Sequence, residues 1–232
     1  MTNRILNTIF KKRWHFCCLL FFVSCFQKDA PRAGASPRAD QDSIAREKEI
    51  DAAFDSIYLD RRLIRTGDLI LRTGRDFASE TFRQMSVHDR TYSHCGIALV
   101  VHDSVVVFHA IGGSFNPDQQ LRRDPLEVFC NPYENRGFAI YRYDLSPQAI
   151  PRLMDTVGQW YGRKIPFDLN FDLATDDRMY CAEFVYKAVT RATGDTVRLP
   201  VTVFAGRRFV TIDDLFLNPW CRAIRRVNFR IP

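Results

Sequence analysis

The chain has 232 residues, with 46% hydrophobic, 13% aromatic and 26% charged positions. That balance excludes a disordered, collagenous or low-complexity protein and is ample for a packed core. The net charge is +6, but Arg4, Lys11, Lys12 and Arg13 supply four of these charges before residue 25, leaving +2 for the rest, too little clustered charge for a nucleic-acid binder.

Lys11-Lys12-Arg13 precedes an uncharged, mostly apolar run from Trp14 to Ser24, the pattern of a secretory signal over residues 1–24. Val23-Ser24-Cys25 resembles a bacterial lipobox, which implies cleavage before Cys25, lipidation of its thiol, and a protein anchored to a membrane of the bacterial cell envelope. Residues 25–43, with Pro31, Gly34 and Pro37, read as a flexible tether, and residues 44–232 as the folded domain. With Cys17 and Cys18 leaving in the signal, Cys95, Cys130, Cys181 and Cys221 remain, in no zinc-ribbon spacing. Export would permit a Cys130–Cys221 bridge, though no sequence feature supports one.

Ile50, Phe54, Ile57 and Tyr58 recur at helical spacing, predicting a helix over 43–62. A strand follows from Leu69, then a short helix over 77–85. The runs 95–101 and 105–111 predict a hairpin that Gly112-Gly113 ends. Asp124-Pro125 opens a short helix, 138–143 is a strand, and Ser146-Pro147 starts a helix to about Tyr161. The next helix begins at Cys181 and stops before Gly194. Strands at 201–204, 209–212 and 227–231 complete an α+β domain with an antiparallel sheet, while the arginines at 222, 225, 226 and 230 read as a solvated face with buried stems.

The chemistry converges on Cys181. At the first turn of its helix, free N–H groups and the helix dipole favour the thiolate. A histidine should take its proton. His94 and His109 lie on the two hairpin strands, nine and six residues from a turn centred on Asp103, so they need not be directly opposite but could share a face after a small register shift. His109 suits either an orienting group or a satisfied core histidine. Alternation sends Cys95 to the opposite face from His94, so Cys95 reads as core. Glu183 reads as a first-turn carboxylate, and His88 and His102 as solvated loop residues.

The segments Thr66-Gly67-Asp68-Leu69-Ile70, Tyr92-Ser93-His94-Cys95-Gly96-Ile97, Gly162-Arg163-Lys164-Ile165-Pro166-Phe167-Asp168 and Tyr180-Cys181-Ala182-Glu183-Phe184-Val185 together resemble the YiiX/YebB group of circularly permuted, NlpC-type papain-like cysteine hydrolases. The likeness covers roughly residues 64–190, with the histidine strand before the cysteine helix. It implies a permuted papain-like fold, an antiparallel sheet or barrel packed against helices with the nucleophile at a helix N-terminus. It also implies Cys181 as nucleophile, His94 as general base and a polar third residue at position 109. There His109 replaces the glutamate of many relatives and resembles the lecithin:retinol acyltransferase branch, so the expected substrates are a cell-wall peptide amide or an acyl group. Tyr92, Asp68, Asp168 and Tyr180 are expected around the substrate, the two aspartates fixing turns. No cofactor or metal is expected. The alternatives are zinc held by His94, His109 and Cys181, and a non-catalytic envelope-binding lipoprotein.

Overall fold

The computed structural model describes residues 37–113, 116, 118–194 and 196–231. The signal, Cys25 and most of the tether lie outside the described residues. Helix α1 (Pro37–Asp60) starts within the segment read as tether and continues into a 3-10 turn, Arg61–Leu63. Then come β1 (Leu69–Gly74), α2 (Phe77–Met85), β2 (His94–Val101), β3 (Ser104–His109), β4 (Arg122–Pro125), α3 (Leu126–Phe129) and β5 (Asn135–Tyr143). Helices α4 (Ala149–Gly162) and α5 (Cys181–Thr193), the small hairpin β6 (Thr202–Phe204) and β7 (Arg207–Phe209), α6 (Ile212–Phe216) and β8 (Cys221–Asn228) complete the domain.

The main sheet is antiparallel in the order β4-β3-β2-β1-β5-β8. It is open, with β4 and β8 at its edges, which corrects the barrel option. Strand alternation splits the core in two. Leu69, Leu71, Cys95, Ile97 and Tyr141 face α4 and α5, packing with Leu153, Trp160, Phe184 and Val185. Ile70, Ala98, Val107, Phe138 and Ile140 face the other way, packing with Ile57 of α1 and with Leu126, Phe129 and Cys130. Cys130 therefore belongs to one face, whereas Cys221 packs on the other. Both thiols are free, as this separation requires.

Three other expectations change. Asp124 and Pro125, expected to open a helix, instead end the edge strand β4, with α3 following; the strand expected at 209–212 gives way to α6; and the strand expected at 227–231 is β8, Cys221–Asn228. Thr211 caps α6: its N–H donates to Asp214 Oδ2 at 2.9 Å, while its hydroxyl accepts from the Asp214 N–H. Within α6, Asp213 Oδ2 accepts the N–H groups of Val87, His88 and Asp89 at 3.0, 2.7 and 3.2 Å. These bonds fix the loop that delivers Tyr92-Ser93-His94 into the sheet. At the end of α5, Gly194 adopts φ +56° and donates to Thr190 O, the left-handed stop that glycine allows without a Cβ penalty.

Candidate active site

His94 is the first residue of β2 and His109 the last of β3. Ile97 pairs with Phe108, so continuing that register sets His109 opposite Gly96 and diagonal to His94, on one face. No register shift is needed. A Cβ at residue 96 would lie 2.6 Å from the Phe108 carbonyl oxygen and 3.1 Å from the His109 Cβ, so this close approach requires glycine.

The imidazoles meet edge to face, with His94 Nε2 and His109 Nδ1 2.9 Å apart. His109 Nε2 lies 3.0 Å from Asp124 Oδ2, and Arg122 holds the other carboxylate oxygen at 2.7 Å. Burial pushes the Asp124 carboxyl up, but bonding to His109 and Arg122 outweighs it and keeps the pKa below the ordinary range. Asp124 is therefore an acceptor, which assigns the proton on His109 to Nε2 and leaves Nδ1 to accept from His94 Nε2–H. His94 Nδ1 is then a free lone pair. Burial lowers the His109 pKa despite Asp124. Burial, the Arg72 charge and His109 together hold His94 well below its ordinary value, so both rings are neutral at pH 7.

Cys181 opens α5. Tyr180 N–H donates to Glu183 Oε2 at 3.1 Å, closing the first turn behind it. Hydrogen bonding to the Cys95 thiol is the largest influence on the Cys181 thiol, and with the N–H groups of Ala182, Cys95 and Cys181 itself it outweighs burial and lowers the thiol's pKa. Cys95 is held well above its ordinary value, first by burial and then by Cys181. Alternation explains the contact: the face of β2 that excludes Cys95 from His94 is the one against which α5 packs.

Cys181, His94 and His109 all open into one cavity of about 690 Å³, shared with Arg72, Arg75, Asp124, Phe129 and Phe167. Tyr92, Asp68, Asp168 and Tyr180, expected around the substrate, are not among its lining residues. Tyr92 packs edge-on against Tyr141 and Phe216 in the core. Asp68 pairs with Arg142 at 2.7 Å, and Asp168 accepts the N–H groups of Asn170 and Asp172 at 2.8 and 2.6 Å. The Tyr180 hydroxyl accepts from Val210 N–H at 2.7 Å. All four build the walls behind the site. Asp124 was missed from sequence because it sits on a polar edge strand. A buried histidine with no assigned acid was the available signal.

The residues do not form a zinc set. His94 and His109 direct their facing nitrogens at each other, Asp124 takes the remaining nitrogen of His109, and no group of three or more His, Cys, Asp or Glu side chains among the described residues gathers as metal ligands.

An open antiparallel sheet with a cysteine at a helix N-terminus, preceded in the chain by a histidine strand, defines a permuted papain-like protein. Residues 63–207 match the family described as permuted papain-like amidase enzymes, YaeF/YiiX, C92, and the chain belongs to that family. A curated relative from Escherichia coli strain K12, named uncharacterized protein YiiX, is 29% identical over 131 residues, 56% of this chain and 59% of that protein. The fold is similar to the crystal structure of a protein described as the metalloprotein YiiX from Escherichia coli O157:H7. That likeness has a TM-score of 0.57 and 22% identity, covering 70% of this chain and 97% of the other.

Proposed function

We propose that this chain is a cysteine amidase of the cell envelope, with Cys181 as nucleophile, His94 as general base and His109 with Asp124 orienting the base. The carrying observation is the directed chain from Asp124 through His109 to His94, which leaves Nδ1 as the unprotonated nitrogen of a histidine that lines the same cavity as Cys181. His94 Nδ1 takes the thiol proton as Cys181 Sγ bonds to the amide carbonyl carbon. The oxyanion is received in part by the Cys181 N–H at the helix start. The same proton passes to the leaving amine as the C–N bond breaks, giving a thioester. Water, deprotonated by His94, then releases the acid and restores the thiol. A cell-wall peptide amide is the first substrate to test. A second reading, hydrolysis or transfer of an acyl group, is favoured by Phe82, Val128, Phe129, Phe167 and Leu169 in the cavity wall.

Release of amine from amide substrates, with acylation of Cys181 seen by intact-protein mass spectrometry, tests the reaction. Turnover that survives Cys181→Ala would refute it. The envelope location rests on the basic and apolar N-terminal pattern and on Cys25. A lipid-modified N-terminus at Cys25 in the native protein is the expected finding, and a free N-terminus elsewhere would remove the anchor.

A further inference from the structure

Arg72 lies on β1 directly across from His94 in the sheet register. Its side chain lines the same cavity as Cys181. Nη1 donates to Asn135 Oδ1 at 2.9 Å, and the guanidinium carbon stands 5.2 Å from the centre of the Phe129 ring. Asn135 is itself fully buried, and its amide donates to Phe129 O and Asn131 O, so the acceptor that aims the guanidinium is held in place. Among the described residues no carboxylate forms an ion pair with Arg72, and its Nε is buried without a hydrogen-bond partner. Arg142, by contrast, is paired with Asp68, and Arg122 with Asp124. Asp76 and Glu134 act on Arg72 only at longer range, and Asp76 is engaged by Ser79 at the start of α2.

A guanidinium remains charged at all ordinary pH. Holding one partly buried against an aromatic ring and a neutral amide, with no counter-ion, costs folding free energy. Such a cation beside a nucleophile is completed by an anion that arrives with the ligand.

We propose that Arg72 anchors an anionic group, a carboxylate or a phosphate, on the substrate whose carbonyl Cys181 attacks. This rests on Cys181 as the nucleophile. It narrows the substrate to an amide bearing an acidic group near the scissile bond, with Phe129 flanking that group.

The test compares alkylation of Cys181 by iodoacetate and by neutral iodoacetamide, followed by peptide mapping at that residue. In both reactions Sγ displaces iodide, so the ratio of rates cancels the thiolate fraction and reports on recognition of the carboxylate. The ratio should exceed that of a small free thiol and fall about ten-fold or more in Arg72→Gln. Arg72→Lys, which keeps the charge but loses the fork, should fall between. An unchanged ratio in Arg72→Gln would overturn the anchor. Should that variant not fold, acetate and inorganic phosphate are tested as protectants of the wild-type thiol against iodoacetamide, with acetamide as control. Protection by acetate alone identifies a carboxylate and by phosphate alone a phosphate, whereas no protection by either overturns the proposal. Amide turnover abolished by Cys181→Ala alongside an ordinary alkylation ratio would remove the anchor and leave the amidase standing.

Discussion

The two faces of the sheet serve the site differently. On the face covered by α5, Cys181 and Cys95 meet within an apolar core, and the thiol's pKa is lowered by hydrogen bonds. On the other face, His94 and His109 pack against Phe129, and burial lowers their pKa values. One side stabilises an anion and the other excludes a cation. The two meet only because His94 is the first residue of β2, at the sheet end where the cavity opens to both faces. The site therefore sets a thiol whose ionisation is favoured and a neutral imidazole on the wall of one cavity.

The strongest way to break this comparison is to remove the sulfur. Cys181→Ser should lower amide turnover on the order of 10³-fold or more while leaving the thermal melt nearly unchanged, because the substitution is close to isosteric at a helix start. Turnover close to wild type would place the nucleophile elsewhere. On the imidazole face the losses should decline with distance from the thiol. His94→Ala should cost on the order of 10³-fold, His109→Ala roughly 10- to 10²-fold, and Asp124→Asn about ten-fold or less, since an amide oxygen can still accept His109 Nε2–H. Steady-state kinetics on the three variants would reverse the assignments if His109→Ala proved worse than His94→Ala.

Much of this arrangement was legible in the sequence because its signals are local. The hairpin, the start of α5 at Cys181 and the stop at Gly194 follow from alternation, capping and glycine. Strand β4 was not legible: Arg122-Arg123-Asp124-Pro125 has no apolar alternation, and only pairing with β3 makes it a strand. Asp124 was hidden with it. Helix α6 did carry a signal, Thr211 three residues before Asp214, the spacing of a capping box. For Cys95, alternation placed the side chain correctly, but that it would then lie under Cys181 follows only from how α5 crosses β2.

A change in α5 behind Cys181 should alter stability more than chemistry. Glu183 is buried, 2.9 Å from Lys187 Nζ, and burial outweighs that partner, raising its carboxyl from 4.5 to about 7. Between those values the folded state keeps a proton that the unfolded chain releases, so the contribution of Glu183 to stability is fully present below about 4.5 and is lost as pH rises through about 7. The difference in urea midpoint between the wild type and Glu183→Gln, measured across that window, should show the decline, since His94 and His109 are common to both proteins. Glu183→Gln, which mimics the protonated carboxyl and can still accept Tyr180 N–H, should flatten it. A decline of equal slope in both proteins would assign it to another group.

The smallest expected effect isolates the α5 face from the imidazole face. Cys95→Ala removes the side-chain bond that does most to lower the Cys181 pKa, while the backbone N–H groups of Ala182, Cys181 and position 95 remain. The pH profile for alkylation of Cys181 by iodoacetamide should move upward, and the rate at neutral pH should fall a few-fold with the high-pH plateau preserved. Because Cys95 points away from His94, the acid limb of amide turnover, which reports on the imidazoles, should stay where it is. A shifted acid limb would mean that the two faces are coupled through β2. An unmoved alkylation profile would assign the lowered thiol pKa to the backbone N–H groups of Ala182, Cys181 and position 95 rather than to the Cys95 thiol.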